Sequence, residues 1–380
     1  YPSGKLVDES TWQARQAMAD LLGCTEEEVV FGGSMTSLVF NVAEALRVDG
    51  RVGPSDNVVL DPMGHGANVW PWVRLAEACG AEVRWLPFGG ATEAECVLDL
   101  RPESLGTVID KRTRIVAVGA ASNGVGTVHD VKAVCRAARD LSAGSAVSFV
   151  DAVHFAPHSP IDVEAIGCDF LACSPYKFFG PHCGVLFGRA VHLAALPVAK
   201  LRCSDEGLPR PENCGMSRWE LGTQNFEALA GTAAAVDYIA TLGARFGGAD
   251  GTAPRRVRLD AAWRVIAAHE DELKRKFLSG AAGIPGLQLL GVTDVSRLEA
   301  RTPTFAIAKK LKGGGSSASE LAEKLCAQGI WCTAGNHYAG FWESRSRGSI
   351  GNDVGMARLG FLHYNTLDEV DRVLAALEEL

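Results

Sequence analysis

Short apolar runs rich in β-branched and aromatic residues recur along the first half of the chain. They are Asn57–Asp61 (NVVLD), Glu82–Leu86 (EVRWL), Arg114–Val118 (RIVAV), Val147–Asp151 (VSFVD), Asp169–Ser174 (DFLACS) and Gly184–Phe187 (GVLF). Each sits between Gly, Asp and Asn, a pattern that predicts buried strands. Amphipathic stretches of helical period lie between them, among them Leu38–Leu46, Trp70–Cys79 and Val131–Leu141. Strand–helix alternation predicts an α/β fold, with a mostly parallel sheet covered on both faces. The pattern then changes. Arg255–Phe277 is charged and helical in period, and Lys310–Ser317 (KLKGGGSS) reads as a loop. Ser319–Gln328, Gly329–Thr333, Met356–Phe361 and Leu367–Leu380 read as helix, strand, strand and helix. The expectation is a large domain over residues 1–254 and a smaller α+β C-terminal domain over residues 255–380.

Composition narrows the class of protein. At 380 residues the chain exceeds the size at which one hydrophobic core stops growing, which agrees with two domains. A net charge of −8 gives no basic surface for nucleic acid. No apolar run approaches the length of a bilayer span. The opening YPSGKLVDES is polar, so it does not read as a signal peptide, and a start without Met suggests a processed or incomplete chain. The eleven Cys are irregularly spaced with no C-x-x-C, which argues against a zinc ribbon or a thioredoxin-like site. They read as reduced thiols of a cytoplasmic protein.

In open α/β sheets, ligands bind beyond the carboxyl ends of the strands. Two predicted strands end in residues that suit one ligand. VSFVD delivers Asp151, followed at i+3 by His154; DFLACS delivers Ser174, followed at i+3 by Lys177. A lysine after a strand is ordinarily a solvated loop charge, and an aspartate there is ordinarily a cap. The setting of Lys177 is different: Phe178, Phe179, Gly180 and Pro181 make it apolar and tightly turned. Pyridoxal 5′-phosphate (PLP) chemistry calls for these residue types. A lysine amine forms a Schiff base with the cofactor aldehyde, and burial lowers its pKa toward reactivity. A carboxylate such as Asp151 pairs with the pyridinium nitrogen. His154 can bond the ring hydroxyl, and Ser174 can hold phosphate.

Gly32–Asn41 (GGSMTSLVFN) leads into a helical run with Thr36 and Ser37 at its first turn. Glycines ahead of a helix N-terminus make an anion site, although Thr and Ser are also ordinary N-caps. No G-x-G-x-x-G follows a strand here, so a dehydrogenase is disfavoured. His65, in DPMGHGANVWPW, follows a strand where an imidazole can lie on a flat ring or simply occupy a loop.

Taken together, these segments resemble the class V aminotransferase family of fold-type I PLP enzymes, and within it the cysteine-desulfurase-like branch. The resemblance runs from about Ala14 to the C-terminus. GSMTS, GHGAN-x-x-PW, SNGVGT, VDAVH, SPYKFFGPHCGVLFG, ELGTQN and R-x-x-x-x-x-YNT carry it in order. It implies a large domain built on a seven-stranded sheet. It also implies catalytic roles for Lys177, His65 and Asp151: Lys177 as Schiff-base lysine and proton shuttle, Asp151 on the pyridine nitrogen, His65 stacked on the ring. His154 is implied on the ring hydroxyl, Thr36, Ser37 and Ser174 on the phosphate, and Asn123 beside cofactor and substrate. Thr223 is implied to reach the phosphate of a neighbouring subunit, which makes a homodimer with sites at the interface. Arg358 is implied to bind the substrate α-carboxylate, which a guanidinium fork suits.

Three departures from the family pattern stand out. Tyr338, in AGNHYAG, occupies the place of the branch's persulfide-accepting Cys, and Cys332 falls six residues earlier inside an expected strand. Tyr176 stands where the family has His before its lysine; its hydroxyl can still donate to phosphate. The family also has a segment, upstream of where this sequence begins, that helps line the substrate pocket. The expected activity is C–S bond cleavage on a cysteine-like amino acid, as a desulfurase or as a direct lyase. Transamination or epimerisation on the same fold, or a non-catalytic scaffold role, are the alternatives. Arg202–Arg218 and Asn336–Val354 are expected to set the substrate.

Overall fold

The computed structural model describes residues 1–90, 93–201, 203, 207–213, 217–311, 317–339 and 356–380. Seven strands form the main sheet: β1 (Val29–Gly32), β2 (Asn57–Leu60), β3 (Glu82–Trp85), β4 (Thr113–Gly119), β5 (Val147–Asp151), β6 (Phe170–Cys173) and β7 (Gly184–Gly188). Their spatial order is β1-β7-β6-β5-β4-β2-β3. Strands β3, β2, β4, β5 and β6 pair in parallel. Only β7 runs against the rest, antiparallel to both β6 and β1.

The apolar runs have a double use. Val59, Val116, Val118, Val150 and Leu171 enter one core, while Val58, Leu60, Ile115, Phe149 and Phe170 enter the other. Successive strand residues point to opposite faces, so a sheet buried on both sides needs apolar residues at consecutive positions. Phe149 and Phe170 are fully buried, each worth about 2–3 kcal/mol of transfer free energy. Helices α2 (Met35–Val48) and α3 (Trp70–Cys79) cover one face. Helices α1 (Pro2–Leu22), α4 (Val131–Leu141) and α5 (Phe226–Phe246) cover the other.

Helix α6 (Arg255–Ala281) has 27 residues, about 40 Å of helix. Its first half places Leu259, Trp263 and Ile266 in a core of the main sheet. Its second half places Leu273, Phe277 and Leu278 in the core of a second, four-stranded antiparallel sheet. The change of pattern at Arg255 therefore marks the start of a helix that both cores share. The second sheet comprises β8 (Leu287–Leu290), β9 (Thr304–Lys309), β10 (Thr333–Gly335) and β11 (Met356–Gly360), in the order β8-β9-β11-β10. Helices α7 (Ala318–Ala327) and α8 (Leu367–Glu379) pack on it.

One strand falls elsewhere than expected. Gly329 takes a left-handed φ of 73°, and Ile330 N–H donates to Leu325 O, so residues 329–332 close α7 instead of forming a strand. Pairing begins at Thr333, and Cys332 precedes the strand instead of lying inside it. Most of the expected loop Lys310–Ser317 lies outside the described residues. No helix among the described residues is long and apolar enough to cross a membrane.

Candidate active site

The carboxyl ends of β2, β4, β5 and β6 open on one cavity of about 640 Å3. Lys177 sits there on a one-turn 3-10 segment, Pro175–Phe178, that follows β6. Both ends of this turn are fixed. Phe178 is fully buried, and Gly180 N–H donates to Pro175 O at 2.8 Å. Phe179 ends the turn at φ 73° and meets the His363 ring edge-on at 4.9 Å. Among the described residues no hydrogen bond or ion pair holds the Lys177 amine, which lies 5.2 Å from the Tyr176 ring. Burial first, then Arg358, pushes its pKa down, and Asp151 opposes that. Tyr176 lines the same cavity and stacks on His182 at 4.9 Å.

Asp151 ends β5 with a buried carboxyl. One oxygen accepts from Val153 N–H at 2.9 Å; the other has no donor among the described residues. Burial raises its pKa to about 6, and Asp61 adds to the rise, against the Val153 bond and Lys177. Asp61 follows β2 and is buried in the cavity wall, accepting from Met63 N–H at 2.8 Å and Gly119 N–H at 3.1 Å. The sequence reading passed it over, although NVVLD ends as VSFVD does.

The N-terminus of α2 points into the cavity with Ser34, Met35 and Thr36. Ser34 caps it, accepting from Ser37 N–H at 3.1 Å, and the Ser37 hydroxyl returns to Ser34 O at 2.8 Å. Ser37 is thus taken up by the cap and is not a lining residue, whereas Thr36 and Ser174 line the cavity. Helix and strand meet closely because residue 184 is glycine. A Cβ there would lie 2.3 Å from the Ser34 carbonyl carbon and 2.5 Å from Met35 N.

His65 accepts from Ala67 N–H on Nδ1 at 3.0 Å, so a neutral ring carries its proton on Nε2. Burial, Lys177 and Arg358 lower its pKa. His154 lies 3.3 Å from Thr302 Oγ1, and burial holds its pKa well below the ordinary histidine value, with His158, Arg358 and Lys177 contributing. Both imidazoles are neutral near pH 7.

The second sheet supplies the outer wall. Arg358 on β11 donates to Asn123 O at 2.7 Å, and Asn123 Nδ2 donates to His337 O at 2.6 Å. Gly66 N–H donates to Tyr338 O at 2.9 Å. His337 and Tyr338 have φ of 50° and 62°. That conformation costs a non-glycine residue about 1–2 kcal/mol, which these cross-contacts offset. The Tyr338 ring lies 5.2 Å from that of His65. Thr333–His337 complete this wall, and Asn336 and His337 among them belong to the second segment expected to set the substrate. No cysteine is among the described lining residues. Cys332 is half-buried, and burial pushes its thiol up to about 11.

Thr223 is exposed and is not among the lining residues of its own chain. Three positions earlier, Glu220 is buried, accepting from Arg15 at 2.6 and 2.7 Å and from Phe31 N–H at 2.8 Å. This pair anchors the segment that presents Thr223. Of the two expected substrate loops, residues 202, 204–206, 214–216 and 340–354 lie outside the described residues.

A family model for class-V aminotransferases matches residues 3–250, well over half of the chain. The chain belongs to the class-V aminotransferase family. Members of this family are PLP-dependent enzymes. The class-V chain is similar to the aminotransferase-like protein FGM3 of Gibberella zeae, with 29% identity over 96% of this chain and 81% of that one. It is similar to a cysteine desulfurase of Dickeya dadantii, with 32% identity over 93% of this chain and 77% of the relative. Its fold superimposes on a cysteine desulfurase of Thermococcus onnurineus with a TM-score of 0.80 at 24% identity, covering 99% of this chain and 84% of the other.

Proposed function

We propose that this class-V enzyme cleaves the C–S bond of a cysteine-like amino acid, with PLP bound covalently by Lys177. One observation carries the proposal. An amine and one oxygen of a buried carboxylate, neither with a partner among the described residues, line a single cavity with a guanidinium. The residues fit the cofactor. Burial, with Asp61 adding to it, raises the Asp151 pKa to about 6, and a pyridinium N–H placed against its carboxylate would offset that cost. The amides of Met35 and Thr36 start a helix and have no intrahelical acceptor, which suits a phosphate. Thr36, Ser174 and Tyr176 add hydroxyls there. His65 would cover the ring face, and His154 would serve the ring hydroxyl. When bound, PLP supplies an electron sink for a negative charge at the substrate Cα.

The rest follows from this chain's own side chains. Arg358 and Asn123 bind and orient the α-carboxylate, so that Cα faces Lys177. The Lys177 amine, its basicity reduced by burial, holds the proton taken from Cα at Nζ. Residues 340–355, which follow the wall residues in the sequence, contain no cysteine. Among the described residues no thiol lines the cavity, which favours elimination to pyruvate, ammonium and a free sulfur product over transfer to the protein. Thr223, exposed on its own chain, serves the cavity of a second copy, so the active unit is a homodimer. The buried free thiols suit a reducing compartment such as the cytoplasm.

Borohydride reduction of the holoenzyme followed by peptide mass spectrometry is expected to find a pyridoxyl adduct on Lys177 within SPYKFFG. Its absence would remove the proposal and leave a non-catalytic role. Incubation with L-cysteine and L-cystine is expected to yield pyruvate with sulfide or persulfide. Exchange of α-deuterium without elimination would assign transamination or epimerisation instead.

A further inference from the structure

We infer that Tyr338 selects the sulfur substituent, and that the preferred substrates are cysteines whose sulfur carries an aromatic or other bulky group. This rests on C–S cleavage as the reaction of the site.

Three observations converge on the residue. The first is position. Tyr338 lines the cavity from the side of the second sheet, and its ring lies 5.2 Å from that of His65, tilted by 39°. The second is that its place is enforced. Two successive non-glycine residues, His337 and Tyr338, are held with left-handed φ. Gly66 N–H grips Tyr338 O, Asn123 Nδ2 grips His337 O, and Asn336 Oδ1 accepts from Tyr338 N–H at 3.0 Å. A segment kept in an unfavourable conformation by contacts to the opposite wall marks a shape the site requires. The third is exposure: Tyr338 is 74% exposed. An open aromatic face at a cavity mouth leaves room for groups of different length, where a closed pocket would fit cysteine alone.

Asn123 joins this wall to the carboxylate anchor. Its carbonyl holds Arg358 and its amide holds His337. A substrate anchored by its carboxylate on Arg358 therefore has its far end directed at a wall fixed by the same residue. Aromatic rings favour contact with sulfur and with other rings.

The chemistry balances without a protein thiol. The Cβ–S bond breaks, and sulfur leaves with the bonding pair and takes up a proton as R–SH. Water converts the remaining three-carbon fragment to pyruvate and ammonium. Nothing is oxidised or reduced, so no acceptor is required.

The test separates the side-chain pocket from the reaction. L-homophenylalanine has the shape of S-phenyl-L-cysteine with CH2 in place of sulfur, and it cannot eliminate. L-2-aminobutyrate stands in the same way for cysteine. Their dissociation constants for the holoenzyme are measured by calorimetry in wild type, Tyr338→Phe and Tyr338→Ala. Tyr338→Ala is expected to weaken L-homophenylalanine by about threefold to tenfold, the range of an aromatic contact. L-2-aminobutyrate should stay within about twofold, and Tyr338→Phe should resemble wild type. Equal effects on both ligands, or none, would overturn the inference. Pyruvate release from S-phenyl-L-cysteine then reports on the reaction: binding selectivity without pyruvate would sink C–S cleavage and leave the pocket assignment standing.

Discussion

Asp151 is a carboxyl held where burial disfavours its charge. Its carboxyl is buried with one backbone donor, and its pKa lies at about 6 against an ordinary value near 4. The native fold therefore favours the protonated form. The sign follows for a carboxyl whose folded pKa is raised. Its stabilising contribution is full below the unfolded pKa and is lost as pH rises through the folded one. The gap corresponds to about 3 kcal/mol. Cofactor-free wild type is expected to lose about that much urea stability, relative to Asp151→Asn, between pH 4 and pH 7. With PLP bound, the pyridinium cation favours the carboxylate and the difference should vanish or reverse. A pH-independent difference in the cofactor-free protein would refute this account of Asp151. That Lys177 and Asp151 reach one cavity was legible in the sequence because each stands at or just past the end of an apolar strand. Ser37 was placed on the phosphate from the same segment as Thr36, yet its hydroxyl closes the cap on Ser34. A sequence cannot tell a capping serine from a ligand-facing one when both sit in the first turn of a helix.

Among the elements, the start of α2 depends on a strand some 150 residues away. Gly184 in β7 lets the Ser34–Met35 backbone approach to a distance at which any Cβ would collide. Gly184→Ala is expected to push the helix start out of line and weaken PLP binding by more than tenfold, with the far-UV circular dichroism largely kept. Ser34→Ala instead removes the cap and should cost about 1 kcal/mol of stability. Equal PLP affinity in Gly184→Ala and wild type, by absorbance titration, would show that the close approach does not matter. This tertiary contact left no trace in the local sequence pattern. Other elements were hidden for related reasons. Helix α5 reads FEALAGTAAAVDYIATLGARF, apolar nearly all round, because small residues let it lie close to α6; a Cβ at Gly243 would fall 1.8 Å from Arg258 O. Without a polar face its period is weak. In α1 Leu6 is exposed and the buried positions start at Thr11, so its opening looks like loop. The central strands were the plainest elements because burial on both faces leaves no polar position to interrupt them.

At the scale of the molecule, the cavity exists only if two sheets keep their relative placement. Lys177, Asp151 and Asn123 come from the main sheet, while Arg358 and Tyr338 come from the second. Helix α6 threads both cores, and Arg301 clamps the junction near the site. Its buried guanidinium donates to the carbonyls of Val292 and Thr304, and to Val125 O at 3.3 Å beyond the end of β4. It has no carboxylate partner among the described residues, stacks 4.2 Å over Phe305, and burial lowers its pKa to about 9. The loop it grips carries Asn123, whose carbonyl holds Arg358. Gly126 in that loop takes φ 82° with a Cβ position 2.4 Å from Thr304 O, so the two sheets touch through backbone there. Replacing Arg301 by Met keeps much of the apolar stem but strands several buried carbonyls, each worth about 1–3 kcal/mol when unpaired. Arg301→Met is therefore expected to lower stability by at least about 2 kcal/mol in urea unfolding. It should also raise KM for the amino acid several-fold through Asn123 and Arg358, while the pyridoxyl adduct at Lys177 still forms. A variant that loses stability with KM unchanged would mean that Arg301 braces the fold without setting the register of the two walls.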